Sequence, residues 1–392
     1  MGAPAYLLAA TPPRLAVSGL GVALPILAVE SGDGLALGGA LAAAALGPSI
    51  LAAPVAGVLM DRARRPGRWV ALAGFVLAAA YALAAFLGPV PFWAVCVALA
   101  ISGAFTPFTM GGLSSFAPSV IAEERRAFAV DALAYNTGSV VGPALVAATA
   151  VVGSARPALL LLAALALLGV GGAALAKLRP RAPHDERTGV LAEIRAGLAH
   201  ITRHRPIALV TASGTINQFG AGALAISAVA LAIALVGDAA RGAVIVTAFA
   251  IGGLVGALWG SARPSRRPPE WGMGVGFAAT GAFTLLAALD FGFVWAVLAI
   301  GVSGLFTAPS SAAMLVLRTR QSPPALRAQV FTVGSGLRAA ASAAGAFVAG
   351  LLVEDAGWGA AAIVVAMGLI WIISGAMLAW YPKDAPRLDT TA

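Results

Sequence analysis

Arg338 stands inside the apolar run 328–353, about eleven residues from its start. That is roughly 16 Å along a helix rising 1.5 Å per residue. A guanidinium at that depth in hydrocarbon is costly enough to be a functional candidate by default. It can bind an anionic group of a solute, or be held structurally by an acid or by carbonyls, and both readings stand here. Asp131 lies one turn into another apolar run, where pairing with nearby loop arginines is expected. Arg14 follows Pro12 and Pro13 and is expected to snorkel to the nearer surface. Tyr135, Asn136, Asn217 and Gln218 offer hydrogen-bonding groups within apolar stretches, either to line a cavity or to bridge helices.

Other chemistry is absent from the pattern. The three histidines, His184, His200 and His204, share one polar segment, and the single cysteine is Cys96. No metal cluster and no Ser-His-Asp triad can therefore form within the apolar stretches. Gly272-x-Gly274-x-Gly276 opens an apolar segment without the strand-turn-helix setting of a nucleotide loop, and no Walker lysine motif occurs. The sequence thus implies neither enzyme, cofactor nor metal.

The elements that must position these residues follow from composition. Of 392 residues, 60% are hydrophobic and 10% charged. Twelve helices of about 20 residues would need roughly 240 apolar positions, close to what the chain supplies. The expected spans are 11–30, 35–60, 69–87, 92–117, 128–152, 157–176, 207–235, 242–261, 271–289, 292–317, 328–353 and 358–381. Pro25, Pro107, Pro143 and Pro309 fall within them and should kink or unwind them. The net charge of +9 is dealt out between the runs rather than gathered on one face, which argues against nucleic acid.

With a cytoplasmic N-terminus, the inner segments collect Arg62, Arg64, Arg65, Arg68, Arg125, Arg126, the cations from Lys177 to Arg205, Arg263, Arg266, Arg267, Arg318, Arg320, Arg327, Lys383 and Arg387. The outer ones hold Arg156 and Arg241 beside Glu30, Asp33, Asp238, Asp290, Glu354 and Asp355. This asymmetry places both termini inside.

The polar segment 177–206 separates six spans from six. In it Leu191, Ile194, Leu198 and Ile201 recur at helical spacing, as in a short amphipathic surface helix. The expected units are 1–176, a linker at 177–206, 207–381 and a tail at 382–392. The halves share a repeat displaced by about 200 residues. Ser102-Gly-Ala-Phe-Thr106 recurs as Ser303-Gly-Leu-Phe-Thr307, each closely followed by proline. Gly57-Val-Leu-Met-Asp-Arg-Ala-Arg64 recurs as Gly256-Ala-Leu-Trp-Gly-Ser-Ala-Arg263.

On these features the chain resembles the major facilitator superfamily. Gly57-x-Leu59-x-Asp61-Arg62-x-x-Arg65 is similar to that family's first signature motif. The resemblance implies a conformational role, in which an inner-face charge cluster favours the outward-open state. Asp131, Glu123 or Glu124 would be partners for its arginines. The second copy has Gly260 where Asp61 stands. Gly138-Ser-Val-Val-Gly142-Pro143 is similar to the helix-bend motif of the family's exporters, although Val146-Ala147 replaces the glycine pair that follows there.

The fold expected is an all-α membrane protein, twelve transmembrane helices in two pseudo-symmetric six-helix bundles. The function expected is alternating-access efflux of a small amphipathic compound by a monomer in the bacterial inner membrane, with proton coupling implied by the resemblance alone. Arg338 supports an alternative, import or facilitation of a small anionic metabolite. A receptor or lipid-handling protein is the alternative of another class.

Overall fold

The computed structural model describes residues 2–121, 123–152, 154–176, 178, 190–262, 267–289, 291–323, 326–354, 359–382, 385 and 388. Lys177, Arg263, Arg266, Asp290, Asp355, Trp358, Lys383 and Arg387 lie outside this set, as does most of the segment before the linker helix.

Twelve long helices follow one another. They are α1 (Gly2–Glu30), α2 in two pieces (Gly34–Leu46 and Ser49–Arg62), α3 (Pro66–Ala84), α4 (Phe92–Pro107), α5 (Glu124–Val152) and α6 (Ala155–Leu175). The second set is α7 (Arg205–Val236), α8 (Gly242–Ala262), α9 (Pro269–Leu286), α10 in two pieces (Phe293–Gly304 and Thr307–Arg320), α11 (Arg327–Glu354) and α12 (Ala360–Ala376). Between the sets lies a linker helix, Val190–Arg203. Ten of the described helical stretches are long and apolar enough to cross a membrane. In apolar surroundings a helix is the form that satisfies its own backbone groups. The polar start of α5 and the glycine-rich α9 set those two apart, yet both pack as full members of their bundles.

The packing is two-fold in pattern. In the first set α1 lies on α5 and α6, α3 on α6, and α2 on α4. In the second α7 lies on α11 and α12, α9 on α12, and α8 on α10. Across the two, α2 meets α11 and α5 meets α8.

The sequence repeat marks equivalent structure. Ser102 and Ser303 are both buried, and each hydroxyl donates to a carbonyl three residues back, Leu99 or Ile300, at 2.8 Å. A Cβ on Gly103 would collide with the Ala45 carbonyl of α2, and one on Gly304 with the Phe249 carbonyl of α8. Both helices lose regular geometry just beyond this point. A π-helical turn at Phe108–Gly112 follows Pro107, with Met110 at φ −96° and ψ −107°. In α10 the break is at Leu305–Phe306, ahead of Pro309.

Pro25 and Pro143 behave otherwise than expected, because α1 and α5 run through them as continuous helices. The break in α2 falls instead at Gly47-Pro48, where Ser49 Oγ donates to the Leu46 carbonyl at 2.6 Å.

A second correction concerns the chain start. α1 begins at Gly2 rather than near residue 11, so Arg14 lies well inside it and is 1% exposed. Two α6 glycines make room: a side chain at Gly169 would strike the Pro13 ring, and one at Gly172 the backbone of Leu8 and Ala9. Arg14 therefore cannot snorkel.

In the linker helix the side chains of Leu191 and Ile194 lie outside the described set. Ile201 packs with Ile207 and Val330, while Leu198 is exposed. A Cβ on Gly197 would sit 2.9 Å from Gln329, so this helix is seated tightly on the start of α11.

Candidate functional site

The buried core has a different shape at the two ends of the molecule. At the end remote from the termini, one cluster runs through both halves, joining Leu24, Leu41, Leu77, Leu159, Leu224, Val229, Ile300 and Trp371. At the terminal end the core is divided. Tyr6, Met60, Phe108 and Phe116 belong to a cluster of the first half, and Val210, Phe277, Met314 and Leu317 to a cluster of the second. An open cavity of about 560 Å³ is bounded by α2, α4 and α11.

Glycines close the remote end. A Cβ on Gly39 of α2 would stand 2.7 Å from the Ala346 carbonyl of α11, and one on Gly350 would stand 2.6 Å from the Leu35 carbonyl. Backbones this close need residues without side chains.

The cavity wall is mostly apolar, with Ile50, Pro54, Met110 and Phe331, and hydroxyls at Ser49, Thr106, Ser115, Thr332 and Ser335. A second recess of about 580 Å³ lies beside it between α2 and α11 and shares Ile50, Pro54, Thr332 and Gly336 with it. Leu51, Val55, Leu59 and Leu337 in its wall are exposed and would meet lipid. The cavity thus has a terminal opening and an apolar flank. Dispersion and hydrophobic burial, with a few hydroxyl contacts, are what such walls offer a ligand.

Gly57 of the signature motif lines this cavity, and a Cβ there would find no atom within 4 Å. Arg62 and Arg65 at the foot of α2 are exposed and make no ion pair among the described residues. Asp61 is described only as part of α2, and its side chain lies outside the described set. Asp131 is not their partner, which corrects the expected pairing.

Asp131 instead faces Arg14, Nη2 to Oδ1 at 2.6 Å, with side chains 1% and 13% exposed. Arg14 Nη1 also donates to the Asp131 carbonyl at 3.0 Å, and Nη2 to Ser114 Oγ at 2.8 Å. Ser114 and the Tyr6 hydroxyl both donate to the same carboxylate oxygen. The Tyr135 ring covers the guanidinium at 3.7 Å. Four segments, α1, the end of α4, and two turns of α5, are tied by one charge-assisted network. The sequence marked Arg14 and Asp131 separately as costly residues. Tyr6 and Ser114 carried no signal, since a tyrosine or serine in an apolar run has many innocuous roles.

The remaining candidates disperse. Asn136 is exposed on α5. Asn217 and Gln218 are half-buried on α7, where the Asn217 carbonyl accepts from Trp371 Nε1 at 2.8 Å. Arg338 is half-buried on α11 beside cavity residues Ser335, Gly336 and Ala339, and its Nη1 lies 3.9 Å from Met314 Sδ. None of Arg338, Tyr135, Asn136, Asn217 and Gln218 belongs to the wall of the 560 Å³ cavity.

Gly142 lets α5 meet α1, with its virtual Cβ 2.6 Å from the Leu15 carbonyl, and Gly138 fits against Arg14. About 200 residues on, Gly345 meets the Phe219 carbonyl of α7 in the same way. In this structure these glycines make the α1–α5 crossing, and α5 stays helical through Pro143.

Glu30 accepts from the Ala155 backbone N–H at 2.8 and 3.1 Å, capping the start of α6. A carboxylate there complements the positive helix end.

Paired six-helix bundles with a two-fold core and a cavity open at one end are the architecture of a membrane transporter. The family model of the Major Facilitator Superfamily matches residues 7–237, and the chain belongs to that superfamily. It is 27% identical over 97% of its length to an uncharacterized MFS-type transporter of Sinorhizobium fredii, covering 94% of that protein. Its fold superposes on the crystal structure of the nucleoside transporter NupG with a TM-score of 0.77 at 16% identity, covering 97% of this chain and 98% of that one. A POT family transporter crystallised with a thioalcohol-conjugated peptide gives 0.73 at 12% identity, over 96% and 95% of the two chains. The protein is a multi-pass membrane transporter and not an enzyme.

Proposed function

We propose that this protein is a secondary active transporter working by alternating access, which exports small amphipathic organic compounds across the bacterial inner membrane. The observation that carries this reading is the core, continuous between the bundles at one end and divided at the other, together with a 560 Å³ cavity between α2 and α4 of the first bundle and α11 of the second. Twelve spans with both termini cytoplasmic fit the exposed Arg62, Arg64, Arg65, Arg68 and Arg126 at the open end, by the positive-inside rule. The cavity then faces the cytoplasm. Motif arginines without an ion pair among the described residues fit an inward-open state, since the charge cluster is assigned to the opposite one. The apolar wall and lipid-facing flank favour a solute with a hydrophobic body. Export is supported by the Gly138–Pro143 resemblance, although the same crossing in the second half shows that a packing role accounts for Gly142.

Proton coupling is part of the proposal and is assigned to Asp131. Protonating its carboxylate would weaken the Arg14 pair and loosen α1 from α5. Units 1–176, 177–206, 207–381 and 382–392, acting as a monomer, complete the reading.

The test is flux in proteoliposomes against a broad panel of lipophilic and amphipathic compounds, with and without an imposed pH gradient. Gradient-dependent movement of at least one compound is expected. No protein-dependent flux across the panel would overturn the reading. The second reading, handling of a small anion, is favoured by one observation, the Arg338 Nε, which is buried without a hydrogen-bond partner.

A further inference from the structure

We propose that Arg318 and Arg338 together form an anion-binding site inside the second bundle, suited to a carboxylate or phosphate group. Arg318, on the last turn of α10, is 1% exposed, and its Nε and Nη2 have no hydrogen-bond partner. Arg338 of α11 likewise leaves Nε buried and unpartnered, and its Nη1 has only the Met314 sulfur at 3.9 Å. Neither makes an ion pair with any described acid. The two side chains converge. A Cβ on Gly214 would stand 3.8 Å from Arg318 Nη2 and 3.8 Å from Arg338 Cδ, and one on Gly334 would stand 3.0 Å from Arg318 Cζ. The Arg318 guanidinium is packed against Gly334, and Gly214 borders both arginine side chains.

The first bundle shows what this arrangement lacks. There the charge of Arg14 is met by Asp131 and Ser114. Around Arg318 and Arg338 there are two cations and, among the described residues, no paired acid. Buried like charges without a counter-ion are unfavourable, and guanidinium forks present paired donors matched to a carboxylate or phosphate. A bound oxyanion would remove both defects. The approach is along α11, where Ser335, about one turn before Arg338, and the adjacent Ala339 line the interbundle cavity.

This site rests on the transporter reading for its use, but not for its existence. The test is thermal unfolding of the purified full-length protein, titrated with inorganic phosphate against chloride at equal ionic strength. Wild type should gain stability saturably with phosphate. Arg318→Met and Arg338→Met should each lose that response, while unfolding without phosphate no earlier than wild type. Arg338→Lys keeps charge without the fork and should bind about ten-fold more weakly. A phosphate response unchanged in both methionine variants would overturn the site. So would methionine variants that unfold as early as Arg14→Met, because both arginines would then be held by the protein itself. Native mass spectrometry from phospholipid nanodiscs separates the sources. Lipid retained by wild type and lost in Arg338→Met assigns the site to a headgroup phosphate, and a phosphate response without retained lipid assigns it to a free anion. A phosphate response with no flux upholds the site and removes the transport role, whereas flux with no response does the reverse.

Discussion

At the scale of single residues, the Arg14–Asp131 pair is the interaction whose loss should be felt most. Arg14 is buried and Asp131 largely so, so removing the acid leaves the arginine charged and uncompensated, at a cost of up to about 3–5 kcal/mol. Arg14→Met should lower the unfolding temperature strongly, and the double variant Arg14→Met with Asp131→Leu should recover much of the loss, as read by thermal denaturation in detergent. Equal loss in single and double variants would show that the pair is not the source. Glu30→Ala removes only a helix cap and should cost roughly 0.5–2 kcal/mol in the same assay. These roles were half legible in the sequence. A charge in an apolar run announces that it needs a partner, but Arg14 and Asp131 are 117 positions apart and only the fold brings them together. The expected alternatives, snorkelling for one and loop arginines for the other, were the local solutions to the same electrostatic problem. The long helical start of α1 made them unnecessary.

At the scale of elements, helices are placed by hydropathy and joined by glycine. Apart from the start of α1, which lies nine residues earlier than expected, spans could be read to within a few residues, because twenty apolar residues in succession have no other stable form in lipid. Their irregularities were harder. Pro107 and Pro309 sit where α4 and α10 break, yet α1 and α5 absorb Pro25 and Pro143 without interruption, and α2 breaks at Gly47-Pro48. Proline disrupts only where the neighbouring packing does not hold the turn, and that is a tertiary property. The α2–α11 crossing gives a prediction of its own. Gly39→Val forces the backbones apart at the remote end and should shift the population away from the present conformation about ten-fold, or about 1.4 kcal/mol. In a Cys96→Ser background, thiol labelling at Ser335→Cys in the cavity should slow accordingly. Unchanged labelling would mean that the glycine contact does not set the conformation. Gly57→Leu, by contrast, points into open space and should leave folding intact. If closing the cavity seats α2 against α11, the same change should abolish flux.

At the scale of the whole molecule, the repeat is the organising fact. Ser102 and Ser303, Gly103 and Gly304, and Gly142 and Gly345 occupy equivalent crossings, so the two bundles are of similar design. The bundles differ where function would break the symmetry: an acid answers the arginine in one and, among the described residues, none answers the pair in the other. Alternation between two openings is the claim on which the account turns. Its most direct measurement is a pair of spin-label distances in the Cys96→Ser protein, one between positions 62 and 319 at the terminal end and one between 33 and 236 at the remote end. Introducing Gly39→Val should shorten the first and lengthen the second within the same population of molecules. If both distances stay fixed, or lengthen together, while the protein still moves solute, the two halves do not rock about a central site.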